Sequence, residues 1–216
     1  MAKVIVLDLD HTLVHTHESS FNEISPQDRQ RLKDEYGDRL YFLDVYDYKD
    51  EDLASDKHVR MYGFLRPWVG ETIRWAHAYF DIVIIWTMGT RGYARKIVPV
   101  VYRDTPHLAP DYIFSRETGV PTKNGELSKP LARLTKMCER EIPLERTIIV
   151  DDQPYSIKPN PDSGIQIPPF SIHLDGLFDD LNRKDVALQQ VRAWFESPLV
   201  KEAKDWRRVD KKHIFV

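Results

Sequence analysis

Asp8-Leu9-Asp10-His11-Thr12-Leu13 follows an apolar run from Val4 to Leu7, which places two carboxylates at the mouth of an expected strand. Side chains two apart on an extended chain point the same way, so Asp8 and Asp10 are expected to share one small volume. Carboxylates so crowded repel each other unless a proton or a cation lies between them. In an open parallel sheet, ligands bind in the crevice beyond the carboxyl ends of the strands. An acidic pair there, beside the Thr12 hydroxyl, points to magnesium-assisted phosphoryl transfer. Two later apolar runs end comparably: Ile82–Trp86 gives way to Thr87, and Thr147–Val150 to Asp151 and Asp152. Each ending has a plainer reading on its own. Surface carboxylates after a strand solvate turns, Thr87 can cap the helix that follows, and Asp151-Asp152 can open a turn or helix. Three such endings in one chain argue together for a shared site.

The elements that must position these groups alternate. The β-branched run from Lys3 to Leu9 reads as a buried parallel strand. Ser25-Pro26 opens a polar helix to about Leu40, with Ser25 as its cap. Tyr41–Tyr48 and His58–Leu65 read as an antiparallel pair, separated by the acidic Lys49–Asp56 stretch and inserted before the main fold resumes. Pro67 is expected to start a helix with Val69, Ile73, Ala76 and Phe80 on its apolar face. Another helix runs from Thr90 or Arg91 through Val101. Then come a short strand at Tyr112–Ser115, a helix over Lys129–Cys138 and the strand at Thr147–Val150. A proline-rich loop over Pro154–Pro169 leads to Ser171–Leu174 and a last helix around Asp185–Phe195. Strands alternating with helices predict an α/β fold: one domain over residues 1–216, with a parallel central sheet flanked by helices and a β insertion near 41–65. About residues 176–216 form a C-terminal helical segment.

The net charge of -3 supplies no global basic field, so nucleic acid and membrane are not expected partners. A single cysteine, Cys138, excludes an internal disulfide and fits a reducing compartment. Among Leu134, Met137 and Ile142 it reads as a core thiol. Val4–Leu7 is too short for a signal peptide, and no apolar stretch approaches the roughly 20 residues of a membrane span. A soluble intracellular protein, cytoplasmic or nuclear, is expected.

Val6-Leu7-Asp8-Leu9-Asp10-His11-Thr12-Leu13-Val14-His15-Thr16 resembles the first motif of the haloacid dehalogenase superfamily. More narrowly, it is similar to phosphatases acting on the C-terminal domain of RNA polymerase II, the NLI-interacting-factor-like group. The likeness continues in Leu65-Arg66-Pro67, Trp86-Thr87-Met88-Gly89-Thr90-Arg91-Gly92-Tyr93-Ala94, Phe114-Ser115-Arg116, Lys129-Pro130-Leu131 and Ile148-Ile149-Val150-Asp151-Asp152. Two departures bear on the substrate. Gln153 stands where one branch carries arginine, and Thr16-His17 where the other carries a pair of serines.

The resemblance implies a Rossmann-like fold without a large cap and a phosphomonoester hydrolase working through an aspartyl phosphate. It assigns Asp8 as nucleophile and Asp10 as general acid and base. It implies Mg²⁺ held by Asp8, the Asp10 carbonyl and Asp152, with Asp151 in support; the order of the last two stays open. Thr87 and Lys129 are implied to hold phosphoryl oxygens, and Arg66 and Tyr93 to line the substrate's approach. The implied substrate is a phosphoserine or phosphothreonine in a flexible phosphoprotein or phosphopeptide, such as the polymerase tail. Rival readings are a nucleotide, nucleic-acid-end or small-metabolite phosphatase, and a non-catalytic phosphopeptide-binding module.

Other residues keep two readings. Lys129 can be a solvated lysine, with Lys123 as its rival, and Arg66 a surface ion-pair partner. His11, His15 and His17 invite zinc but lack structural-site spacing. Trp68, Trp75 and Trp86 are expected in the core. Tyr41, Phe42, Tyr46 and Tyr48 either line a groove for a proline-containing peptide or stabilise their own hairpin. Arg207-Arg208 and Lys211-Lys212 read as a solvated basic terminus.

Overall fold

The computed structural model describes residues 1–17, 21–46, 58–172 and 184–215, and of residues 46, 58 and 59 only the backbone. The Lys49–Asp56 stretch and Tyr48 lie outside the described residues, as do His173 and Leu174 of Ser171–Leu174.

In chain order the elements are β1 (Val4–Leu7), β2 (Val14–His17), α1 (Pro26–Tyr36), β3 (Leu40–Tyr46), β4 (His58–Leu65) and α2 (Val69–Tyr79). There follow β5 (Ile82–Trp86), α3 (Arg91–Val101), β6 (Tyr112–Phe114), β7 (Val120–Pro121), β8 (Leu127–Ser128) and α4 (Leu134–Met137). The rest are β9 (Thr147–Asp151), α5 (Pro154–Ile157), β10 (Gly164–Gln166), α6 (Ala187–Glu196) and α7 (Pro198–Glu202).

Five strands form a parallel sheet in the order β10-β9-β1-β5-β6. Val4, Ile5, Val6 and Leu7 are buried because β1 is covered on both faces and paired on both edges. From β1 the chain builds outward through β5 and β6, then returns to lay β9 and β10 on the other side. That reversal puts the crevice for a ligand at the end of β1, where Asp8 stands. No helix among the described residues is long and apolar enough to cross a membrane.

The insertion is larger than the expected hairpin. β2 joins β4 and β3 in an antiparallel sheet of order β2-β4-β3. Four residues, Val-His-Thr-His, carry little periodic signal, so β2 declares itself only through its pairing with β4. Its register sets His15 opposite Phe64 and Thr16 opposite Gly63.

Several expected boundaries move. α1 stops at Tyr36 because Gly37, at φ 46°, turns the chain out of the helix; Ser25 caps its start, accepting from the Asp28 amide. α2 begins at Val69 rather than Pro67, since Trp68 stands in the left-handed region at φ 70°. Lys129 is not helical. It follows β8, and the helix expected over Lys129–Cys138 is a 3₁₀ turn at Leu131–Arg133 and the short α4. The proline-rich loop holds both α5 and β10, too short to register as periodic runs.

Trp75 and Trp86 are buried as expected, but Trp68 is 44% exposed. Cys138 is half-buried at the end of α4, packed beside Leu134 and Ile142, with its thiol pushed up to about 11 by burial. The basic terminus is folded, not solvated throughout. Trp206 is buried against Phe80 and Phe195, and Lys211 Nζ donates to the Trp206 and Val209 carbonyls at 2.8 and 2.9 Å. Tyr41 is buried, whereas Phe42 is exposed beside Phe21.

Candidate active site

Asp8 is the first residue past β1, and its amide still donates to the Val150 carbonyl of β9 at 3.1 Å. The chain then leaves the strand direction. The Leu9 carbonyl accepts from the amides of Thr12, Leu13 and Val14, and His11 takes φ 60°. Asp8 and Asp10 are therefore set by a tight turn and held by different partners.

Lys129 is buried, and its ammonium donates to Asp8 Oδ1 at 2.5 Å and Asp151 Oδ2 at 2.7 Å. Burial works against its charge, but Asp8 and Asp151 outweigh that cost and hold its pKa above the usual lysine value. Asp151 is the last residue of β9, and its Oδ1 accepts from the Gln153 amide at 2.8 Å. Asp152 follows with Oδ2 accepting from the Gln153 side chain, while its buried Oδ1 has no hydrogen-bond partner.

One oxygen from each of Asp8, Asp151 and Asp152 lies within 4.8 Å of the others. Burial, with Asp151 adding to it, pushes the Asp152 carboxyl up to about 6. Burial also raises Asp8, with Lys129 opposing and Asp151 reinforcing the rise. Three carboxylates thus face a single ammonium, an excess of negative charge that a hard dication relieves. The orphaned Asp152 oxygen and the all-oxygen donor set fit Mg²⁺.

Asp10 is held from the other side. The Tyr93 hydroxyl donates to Asp10 Oδ1 at 2.6 Å, and Thr16 Oγ1 lies 2.6 Å from both the Tyr93 and Tyr41 hydroxyls. Tyr93, Thr16 and Tyr41 thus form a hydroxyl relay leading to Asp10, with Thr16 also hydrogen-bonding that carboxylate. Burial raises the Asp10 carboxyl, and the Tyr93 bond moderates that rise. Two glycines make this relay possible. A Cβ on Gly63 would lie 2.4 Å from the Tyr41 hydroxyl and from the His15 carbonyl; one on Gly89 would lie 2.4 Å from Tyr93 Cδ1.

Thr87 is buried just beyond β5, its Oγ1 accepting from the Gly89 amide at 2.9 Å. It caps nothing; Thr90 caps α3 by accepting from the Tyr93 amide. Arg66 is only 1% exposed. Its guanidinium donates to Asp185 (2.9 Å), the Thr12 carbonyl (3.1 Å) and the Pro168 carbonyl (2.8 Å), so it braces the turn that follows Asp8. Tyr93, 3% exposed, likewise spends its hydroxyl on Asp10. The three histidine rings pack in succession at a tilt, with centroids 4.9 and 4.4 Å apart. His11 Nδ1 faces the Ser171 hydroxyl, and His15 Nδ1 accepts from the Ile172 amide, so structural contacts occupy these nitrogens.

Three supporting residues escaped the sequence reading. Thr16 and Tyr41 owe their roles to the register of the inserted sheet. Asn160 is a clamp: its amide donates to the Lys129 and Ser156 carbonyls, and its oxygen accepts from the Leu131 amide, each at 2.8 Å. It is the seventh residue of the proline-rich loop, where no periodic pattern marks it.

A parallel five-stranded sheet with an acidic crevice at its reversal is the architecture of the haloacid dehalogenase superfamily. The family model described as NLI interacting factor-like phosphatase matches residues 3–207, and the chain belongs to that family. Among curated proteins nothing matches. Of solved structures, Fcp1, an essential RNA polymerase II CTD phosphatase, aligns with a TM-score of 0.54 at 19% identity, over 93% of this chain and 52% of that one. An arginine-to-alanine variant of the fission yeast RNA polymerase II CTD phosphatase Fcp1, bound to beryllium fluoride, aligns with a TM-score of 0.56 at 16% identity, over 89% of this chain and 49% of that one. The chain thus spans about half the length of these relatives, and the likeness is one of fold.

Proposed function

We propose that the protein is a Mg²⁺-dependent phosphomonoester hydrolase that works through an aspartyl phosphate on Asp8. The observation that carries this reading is the pairing of Asp8 with Lys129 beside the underused Asp152 oxygen, while Asp10 is held separately by Tyr93. This division supports Asp8 as the attacking carboxylate and Asp10 as the one that moves protons.

Phosphate monoesters are among the slowest biological bonds to hydrolyse, and catalysed accelerations reach ~10²¹. A carboxylate nucleophile divides the reaction into two easier displacements. Asp8 attacks phosphorus as the ester bond breaks, and Asp10 gives its proton to the departing oxygen. Asp10 then takes a proton from water as that water attacks the phosphorus, releasing inorganic phosphate and restoring Asp8. Lys129 and the Thr87 hydroxyl stabilise the phosphoryl oxygens. Asp8, Asp152 and the Asp10 carbonyl would hold Mg²⁺, with Asp151 fixing Lys129 and the turn; the ion would supply charge neutralisation for an anion attacking an anion.

The substrate we favour is phosphoserine or phosphothreonine in a flexible polypeptide of the polymerase-tail kind. Two things support it: the Fcp1 neighbours are RNA polymerase II CTD phosphatases, and the insertion after β1 is a small three-stranded sheet. The test is turnover of a generic phosphomonoester with and without Mg²⁺, followed by phosphopeptides against nucleotides. Metal-dependent turnover that falls to background in Asp8→Asn is expected. Retained turnover by that variant overturns the nucleophile, and a strong preference for nucleotides overturns the peptide substrate.

A further inference from the structure

Between the β7–β8 hairpin and α5 lies a cavity of about 350 Å³ that the mechanism above does not use. Its wall includes Lys123, Asn124, Glu126, Ser128, Tyr155 and Lys158. Both lysines are exposed, and neither has an ion-pair partner among the described residues. Against them stands one carboxylate, Glu126, so the cavity is net cationic. The Asn124 amide and the Tyr155 hydroxyl add donors with no protein partner. An anion with several acceptor oxygens suits such a lining.

Its position makes it part of the substrate path. β8 ends one residue before Lys129, α5 starts two residues after Asp152, and α5 packs on β8. The two segments that deliver Lys129 and Asp152 to the crevice thus continue as the walls of this cavity. A peptide reaching the crevice would pass this cavity. Successive residues of an extended peptide advance by roughly 3.3 Å, so the separation of two phosphates along the peptide sets which spacing spans both sites.

We propose that this cavity binds a second phosphoryl group of a multiply phosphorylated peptide, with Lys123 and Lys158 as its cationic jaws. The proposal rests on the phosphopeptide reading above and names which phosphopeptides the site selects. It also explains Lys123, a rival of Lys129 for the phosphate-binding role on sequence alone: it takes a neighbouring phosphate.

The experiment compares kcat/KM, with Mg²⁺, for one peptide bearing a single phosphoserine and a series bearing a second at two to five residues on either side. Wild type should prefer one spacing roughly tenfold, chiefly through KM, the yield of two exposed lysine–phosphate contacts. In Lys123→Gln/Lys158→Gln that ratio should fall to about one, whereas Lys136→Gln, an exposed α4 lysine away from the cavity, should keep it. A series with no preferred spacing, or a preference that survives the double variant, overturns the proposal. Turnover of a generic phosphomonoester alongside such a result would leave the phosphatase reading standing. Should no ester be hydrolysed, that reading fails. The same ratio is then taken from peptide dissociation constants, measured by fluorescence anisotropy on Asp8→Asn, with a value near one rejecting the cavity.

Discussion

Tyr93 carries the most informative contact in the crevice, because its phenol touches Asp10 and is almost sealed from solvent. A substrate-lining tyrosine and a tyrosine that orients a proton carrier make different kinetic predictions. Tyr93→Phe removes the hydroxyl and leaves the ring against Gly89. The expected outcome is a fall in kcat of about tenfold or more, drawn from the roughly 10²–10⁴ that acid–base catalysis contributes, with KM for a phosphopeptide little changed. Steady-state kinetics separates the two: a rise in KM at constant kcat would return Tyr93 to the substrate path. Thr16→Val should also lower kcat, since it removes the hydroxyl that joins Tyr93 to Tyr41 and also bonds Asp10.

Among the elements, α5 and β10 do more than their length suggests. Asn160, in the turn between them, ties the Lys129 and Ser156 carbonyls and the Leu131 amide into one clamp. Asn160→Ala would strand those buried groups, at roughly 0.5–1.5 kcal/mol per hydrogen bond. A loss of about 2–4 kcal/mol in urea unfolding is therefore expected, together with reduced turnover as Lys129 loses its support. An unchanged midpoint would mean that the sheet alone holds Lys129. The inserted sheet works in the same way for Asp10: β3 supplies Tyr41, β2 supplies Thr16, and Gly63 of β4 leaves room for their meeting.

For the whole molecule, the crevice is where distant parts of the chain converge, and its charge imbalance is a stability term. Arg66 braces the turn after Asp8 against Pro168 and Asp185, and Lys129 joins the ends of β1 and β9 through two carboxylates. A ligand that binds only the folded state stabilises it by about 2.7 kcal/mol at a hundred times its Kd. Magnesium should accordingly raise the midpoint of thermal unfolding in a saturable way. Asp152→Asn, which removes the carboxylate with the orphaned oxygen, should abolish most of that rise, as differential scanning fluorimetry would register. An equal rise in the variant would place the ion elsewhere.

Asp8, Asp10, Thr87, Asp151 and Asp152 were visible as candidates in the amino-acid order because each follows a β-branched run. Such runs become parallel strands whose ends must share one side of a sheet. Lys129 was chosen through its motif, while its helical placement was wrong: the local pattern around Leu131 and Leu134 has helical spacing, but the backbone spends it on a 3₁₀ turn and one turn of helix. Arg66 carried two readings, a lining of the substrate's approach and a surface ion pair; packing against Thr12 and Pro168 instead turns it inward. The chain's linear pattern by itself determined the α/β class, the strand ends and the acidic character of the crevice, since these depend on residue type and spacing along the backbone. The partner of each acid, the Tyr41–Thr16–Tyr93 relay and the cationic cavity beside α5 were decided by tertiary structure. They arise from cross-strand register and from contacts between segments up to 121 residues apart, and neither is encoded in any local period.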